Sequence, residues 1–110
     1  IILGLRERGV ISLIDGAHGP GAVPLDLSEL APDYYVANCH KWICSPRGAA
    51  FLFAQPEHRS RKEEPCELQP ASVSHGFNMQ GPQQNRFHDA FDFPGTTDPT
   101  AWASVGTAIL

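Results

Sequence analysis

At 110 residues the chain carries enough sequence for one modest hydrophobic core. Lys and Arg total 8 against 12 Asp and Glu, a formal net charge of −4, which excludes the basic face that nucleic-acid binding requires. Hydrophobic residues make up 42% and charged residues 18%, as in a folded domain, and no run approaches the roughly 20 apolar residues that cross a bilayer. Neither nucleic acid nor membrane is therefore an expected partner.

Ile2 to Arg8 reads as the last turns of a helix, with Arg6 and Arg8 at its C-terminal end and Gly9 in the terminating position. Val10-Ile11-Ser12-Leu13-Ile14 is apolar on both faces and predicts a buried central strand. It stops at the turn-forming stretch Asp15-Gly16-Ala17-His18-Gly19-Pro20-Gly21. Leu25 to Leu30 predicts a short helical turn closed before Pro32, and Tyr34-Tyr35-Val36-Ala37-Asn38 predicts a second buried strand. The spacer between the two strands is long enough for a crossover, so they are expected to run parallel. Ala49 to Ala54 is a third apolar run, and the short link from Cys39 to Gly48 makes it antiparallel to the second. The expected fold class is α/β, a mostly parallel sheet with one antiparallel strand.

Residues 55–70 are polar and charged, and predict a surface loop or short helix with His58 exposed and Arg59, Arg61 and Lys62 on a solvated face. Residues 74–97 are expected to be irregular, with no role assigned to His75 or His88. Asp98 is placed to cap a final helix with Pro99 at its first position. Trp42 and Trp102 read as core or interface packing. Gly16, Gly19, Gly21 and Gly48 read as turn formers, with Gly16 also able to let a ligand approach the backbone. Three Cys (Cys39, Cys44 and Cys66) cannot all pair within the chain, which points to reduced thiols and a cytoplasmic location. The chain opens on Ile1-Ile2-Leu3 and stops inside an apolar run, as expected of a segment of a longer protein.

Ligands of open parallel sheets bind beyond the carboxyl ends of the strands. The first predicted strand ends in Asp15 with His18 close behind, and the second runs into Cys39-His40-Lys41-Trp42. One reading of the converging Asp15 and Lys41 is an ion pair that closes the sheet edge. The other is pyridoxal phosphate chemistry, in which a lysine near apolar walls forms a Schiff base and a carboxylate keeps the pyridine nitrogen protonated. A metal site built from Cys39, His40, Cys44 and His18 fits no zinc spacing, and Lys41 in its centre repels a cation.

Asp15-Gly16-Ala17-His18-Gly19-Pro20-Gly21, His40-Lys41-Trp42, Pro46-Arg47-Gly48 and Gly95-Thr96-Thr97-Asp98-Pro99 occur in the order and spacing of one family. The chain resembles the class V aminotransferase superfamily of fold-type I pyridoxal phosphate enzymes, above all its isopenicillin N epimerase-like branch. The resemblance implies that residues 1–110 form part of the large cofactor-binding domain, without its N-terminal part and the small C-terminal domain, a piece expected to be inactive alone. It implies pyridoxal 5'-phosphate as cofactor and an amino acid as substrate. It makes Lys41 the Schiff-base lysine, Asp15 the partner of the pyridinium nitrogen, and Ala17 a residue packed on the ring. His18 takes the place of a residue that hydrogen-bonds the phenolate oxygen, and His40 resembles a phosphate-contacting residue. Thr96 resembles a threonine reaching the phosphate of the partner subunit's cofactor, which implies a homodimer. The reaction implied is epimerase- or aminotransferase-like. The alternatives are a cysteine desulfurase or lyase type of enzyme and a non-catalytic remnant of the fold. Cys39 departs from the Ser usual in desulfurases and Thr97 from an Arg frequent in this branch. No Cys matches the mobile nucleophile of a desulfurase.

Overall fold

The computed structural model describes residues 1–59, 86–93 and 95–110, and gives for Arg86 and Phe87 the backbone alone. They divide into two units, Ile1–Gln55 with Asp98–Leu110, and Pro56–Thr97.

The first unit opens with α1 (Ile2–Arg6). The chain leaves it as expected: Gly9 adopts φ 66°, its N–H donates to the Arg6 carbonyl at 2.9 Å, and the Val10 N–H donates to the Leu5 carbonyl at 3.0 Å. This is the paired closure that a left-handed glycine allows. Arg8 donates to the Gly4 carbonyl at 2.7 Å, while Arg6 reaches across to the carbonyl of Ala31. Ala31 ends α2 (Leu27–Leu30) in the left-handed region, φ 48°. The other end of α2 is capped by Asp26, whose carboxylate accepts from the N–H groups of Ser28 and Glu29. Those two donors hold the Asp26 carboxyl below its ordinary pKa. A groove of about 530 Å³ runs along Ile1, Leu3, Leu25 and Leu30.

Three strands form one sheet in the order β1 (Leu13–Asp15), β2 (Tyr34–Asn38), β3 (Ala50–Ala54). β1 and β2 are parallel, with Asp15 opposite Val36; β2 and β3 are antiparallel, with Asn38 opposite Ala50. Both directions follow the expectation from link length. β2 is the buried one: Tyr34, Tyr35 and Ala37 are all 5% exposed or less. β1 departs from the expected central strand. Among the described residues it pairs on one side only, and Ile11 and Leu13 are more than half exposed. Apolar composition records what a strand is suited to face, whereas burial requires a neighbour on each side.

The start of the sheet is closed by a buried polar clamp that the sequence did not announce. The Asp33 carboxylate accepts from the Ser12 N–H at 2.8 Å and from the Ser12 hydroxyl at 2.7 Å, and the Asp33 N–H donates to the Ser12 Oγ at 3.0 Å. Asp33→Ala would leave the Ser12 groups buried without this acceptor. It is expected to cost about 3 kcal/mol, read as a lower urea midpoint of the full-length protein.

Cys39 packs with Ala49 and Ala101, the last on α4 (Thr100–Ala103). The expected final helix is divided in two, α4 and α5 (Val105–Ile109), where the Ser104 hydroxyl turns back onto the Thr100 carbonyl at 2.7 Å. The cap position falls on Pro99, one residue later than expected, although Asp98 still accepts from the Thr100 N–H at 2.9 Å. Trp42 and Trp102 are 60% and 55% exposed and belong to no core among the described residues.

In the second unit, Pro56–His58 forms a 3₁₀ turn on which His58 is half-buried rather than exposed. Arg59 is half-buried as well. α3 (Arg86–Phe91) stands where an irregular segment was expected. Its six residues are too few to show helical periodicity, but His88 and Asp92 meet one turn apart at 3.0 Å. Arg61, Lys62, Cys66 and His75 lie outside the described residues.

Candidate functional site

The site is assembled where β1 and β2 end side by side. Because the strands are parallel and in register, their C-terminal loops, 15–21 and 39–48, emerge together.

The first loop is folded by short-range hydrogen bonds. The Asp15 Oδ1 accepts from the Ala17 N–H at 3.1 Å, the Gly16 N–H continues the sheet to the Val36 carbonyl at 2.8 Å, and the Gly19 N–H closes a turn on the Gly16 carbonyl at 2.8 Å. These bonds leave Asp15 and His18 exposed, with Ala17 half-buried between them.

The second loop is pinned at its base by the Cys39 N–H on the Ala49 carbonyl and the Ser45 N–H on the Cys39 carbonyl, both 3.0 Å. Within it a turn from Lys41 to Cys44 closes at 3.0 Å, with Cys44 in the left-handed region at φ 62°. Both Cys39 and Cys44 are free thiols. Cys39 is 2% exposed and burial raises its thiol pKa, so its side chain belongs to the core and offers no contact at the loop surface.

The two loops touch. Gly21 has φ 82°, and a Cβ there would stand 2.6 Å from the Trp42 carbonyl oxygen, closer than a side chain allows. The Lys41 Nζ lies 3.2 Å from the His18 Nε2. One of these two nitrogens must therefore offer a lone pair to the other. Among the described residues Lys41 and Asp15 form no ion pair; the lysine is engaged by His18 and the carboxylate by the Ala17 N–H. In place of a simple edge-closing ion pair, carboxylate and amine each have a partner of their own. A depression of about 380 Å³ beside them is lined by Asp15, Ala17, Asn38, Ala50 and Phe51 among others, with Lys41 outside its rim.

His40 precedes the lysine, and its Nδ1 is buried without a hydrogen-bond partner among the described residues. Buried polar atoms are rarely left so, and an acceptor or donor brought by a bound group would complete it. Thr96 is exposed and belongs to the other unit, as does Thr97.

Two glycines of the turn that was expected of them also make room for a side chain. A Cβ on Gly16 would lie 1.9 Å from the Tyr35 Cζ, and one on Gly19 would lie 2.3 Å from its phenolic oxygen. The space beside them is filled by a side chain of the protein, the Tyr35 phenol. Tyr35 was legible in the sequence only as a strand residue. The signal for its contact with the turn is the pair of glycines three residues apart that follows β1, the first of them two residues past Ile14, its partner in the sheet.

The aminotransferase class-V family model matches residues 1–109. The chain belongs to the class-V aminotransferase family. Of its class-V relatives, the isopenicillin N epimerase of Amycolatopsis lactamdurans is 36% identical over 94% of this chain and 27% of the relative. That of Streptomyces clavuligerus is 34% identical over the same shares, 94% and 27%. The L-cysteine desulfhydrase-like protein lolT1 of Epichloe uncinata is 39% identical, over 57% of this chain and 14% of its own length. The chain thus spans about a quarter of the epimerases it matches. The mixed, mostly parallel sheet with flanking helices agrees with the α/β cofactor-binding domain expected of this class-V family.

Proposed function

We propose that this chain is the lysine-bearing segment of a pyridoxal-phosphate-dependent enzyme that acts at the Cα of an amino acid. The observation that carries the reading is the Lys41 amine held at 3.2 Å by His18, beside a separately anchored Asp15, at the ends of two parallel strands. The residues fit the cofactor: an amine to attach it, a carboxylate to face its ring nitrogen, a small side chain at position 17, and a buried His40 nitrogen that lacks a partner. The cofactor, when bound, supplies an electron sink for the negative charge that develops at Cα. Asp15 holds a proton at the ring nitrogen, which strengthens that sink. Lys41 would hold the cofactor through its Nζ and, with that nitrogen unattached, would take or return the Cα proton. His18, within hydrogen-bond reach of that Nζ, orients the amine and accepts from it while it is protonated. Ala17 leaves room for a flat ring where a larger side chain would not.

Match over 94% of the chain to two epimerases favours an epimerase-like outcome. The second reading, elimination from a cysteine-like substrate, draws on the desulfhydrase-like relative at 39% identity. A homodimer, with Thr96 reaching the partner's cofactor phosphate, and a cytoplasmic location complete the proposal.

The test uses the full-length protein. Loading with pyridoxal phosphate is expected to give a visible absorption band, and borohydride reduction followed by peptide mapping should place the label on Lys41. No band, or a label on another lysine, would overturn the proposal. Deuterium uptake at Cα without sulfide release separates the epimerase-like reading from elimination.

A further inference from the structure

Asp15, Ala17 and His18 all belong to one tight turn, so whatever fixes that turn fixes three groups of the site at once. The turn has few internal bonds, and its central acceptor is the Gly16 carbonyl. That oxygen receives the Gly19 N–H at 2.8 Å and, from the adjacent strand, the phenol of Tyr35 at 3.3 Å.

Tyr35 is built into its place. It is 3% exposed, lies on the central strand opposite Ile14, and stacks on Phe51 of β3 with ring centroids 6.1 Å apart and planes inclined by 17°. Its far end occupies the volume that side chains at positions 16 and 19 would need. Burial, with the Asp15 carboxylate close by, raises the phenol pKa, so the hydroxyl stays protonated and keeps donating.

We infer that Tyr35 is a positioning residue for the cofactor site: its phenol, bonded to the Gly16 carbonyl and packed against Gly16 and Gly19, sets where Asp15 and His18 stand. The inference rests on the pyridoxal phosphate reading for its consequence, but its structural half stands on contacts within this chain. A tyrosine serving the core alone would need neither the hydroxyl nor two bare glycines beside it.

Tyr35→Phe keeps the ring and removes the bond. In the full-length protein the dissociation constant for pyridoxal phosphate is expected to rise about five- to tenfold, the equivalent of one hydrogen bond. The visible circular dichroism of the bound cofactor should change with it, because that signal reports the cofactor's orientation. Ser12→Ala, which weakens the clamp at the opposite end of the same two strands, is the control for lost stability. It should lower the melting temperature while leaving cofactor affinity and dichroism unchanged. If Tyr35→Phe moves these no more than Ser12→Ala does, the inference fails.

A second arm needs no cofactor. Gly19 is outside the left-handed region, and among the described residues the one obstacle closer than 3.3 Å to a Cβ there is the Tyr35 phenolic oxygen at 2.3 Å. Gly19→Ala should therefore lower the melting temperature of the cofactor-free protein sharply in the native background and far less when combined with Tyr35→Phe. Equal losses in both backgrounds would overturn the contact. If the unaltered protein takes up no pyridoxal phosphate, the functional proposal fails, and the melting cycle still decides whether Tyr35 holds the turn.

Discussion

Replacing Lys41 with alanine is expected to lower turnover by about 10⁴-fold or more in the full-length enzyme, while the protein folds as before. The two halves of that expectation have different physical origins. Lys41 is half-buried, and among the described residues its amine is bonded to His18 alone, which is itself exposed, so water replaces the lost bond. Substitutions of this kind change stability by about 0.5 kcal/mol or less. The catalytic loss is large because the proposal gives one nitrogen both the covalent attachment and the proton transfer. Lys41→Arg sharpens the test. The guanidinium keeps the charge and can still reach His18, yet it stays protonated and serves neither as nucleophile nor as base. Equal losses in Lys41→Ala and Lys41→Arg, with unchanged melting temperatures, identify the amine itself as the required group. Substantial turnover in Lys41→Arg would remove Lys41 from the chemistry.

Gly16→Ala should be the most destabilising of the single methyl additions in the site. The new Cβ would meet the Tyr35 Cζ at 1.9 Å, the phenolic oxygen at 2.1 Å and Cε1 at 2.5 Å, so the ring itself is in the way. Neither side yields easily. The ring is locked against Phe51, and Gly16 is tied to β2 through its N–H on the Val36 carbonyl. Overpacking of this kind costs about 3 kcal/mol or more, visible as a reduced urea midpoint. Shortening the phenol does not help here, because Cζ and Cε1 persist in phenylalanine. Tyr35→Phe is thus expected to rescue Gly19→Ala and to leave Gly16→Ala unrescued. Rescue of both would mean that the ring moves aside, contrary to the packing described.

The parts of the fold visible in the sequence were those governed by local rules. Gly9 ends α1 because a left-handed residue was needed there, and Asp98 binds the Thr100 N–H as its position suggests, although the cap position itself falls on Pro99. Strand directions followed from the length of the links. The positions of Asp15, Ala17, His18, His40 and Lys41 on two adjacent loops were also legible, since strand ends carry loops. What escaped was decided between distant segments. The Ser12–Asp33 clamp joins residues 21 apart and looks in sequence like two ordinary polar positions. The lysine's partner came out as His18 because the first loop turns back over the second, a matter of turn geometry. An apolar run such as 10–14 predicts a central strand, because composition carries no information on which neighbours are present. α3 was missed because six residues between turn formers hold too little periodicity to read.

The close approach of Gly21 to the Trp42 backbone has a consequence for how such a chain can vary. A bare Cα against a carbonyl acts as a spacer of fixed length between the aspartate's loop and the lysine's loop. Residue types around it can drift, provided position 21 stays glycine, but the count of residues from 15 to 21 cannot. An insertion there would leave the carboxylate where the pairing of β1 with β2 sets it, but would carry position 21 away from the Trp42 backbone and so detach the His18 turn from the lysine's loop. The segment is best understood as a ruler whose unit is the peptide bond.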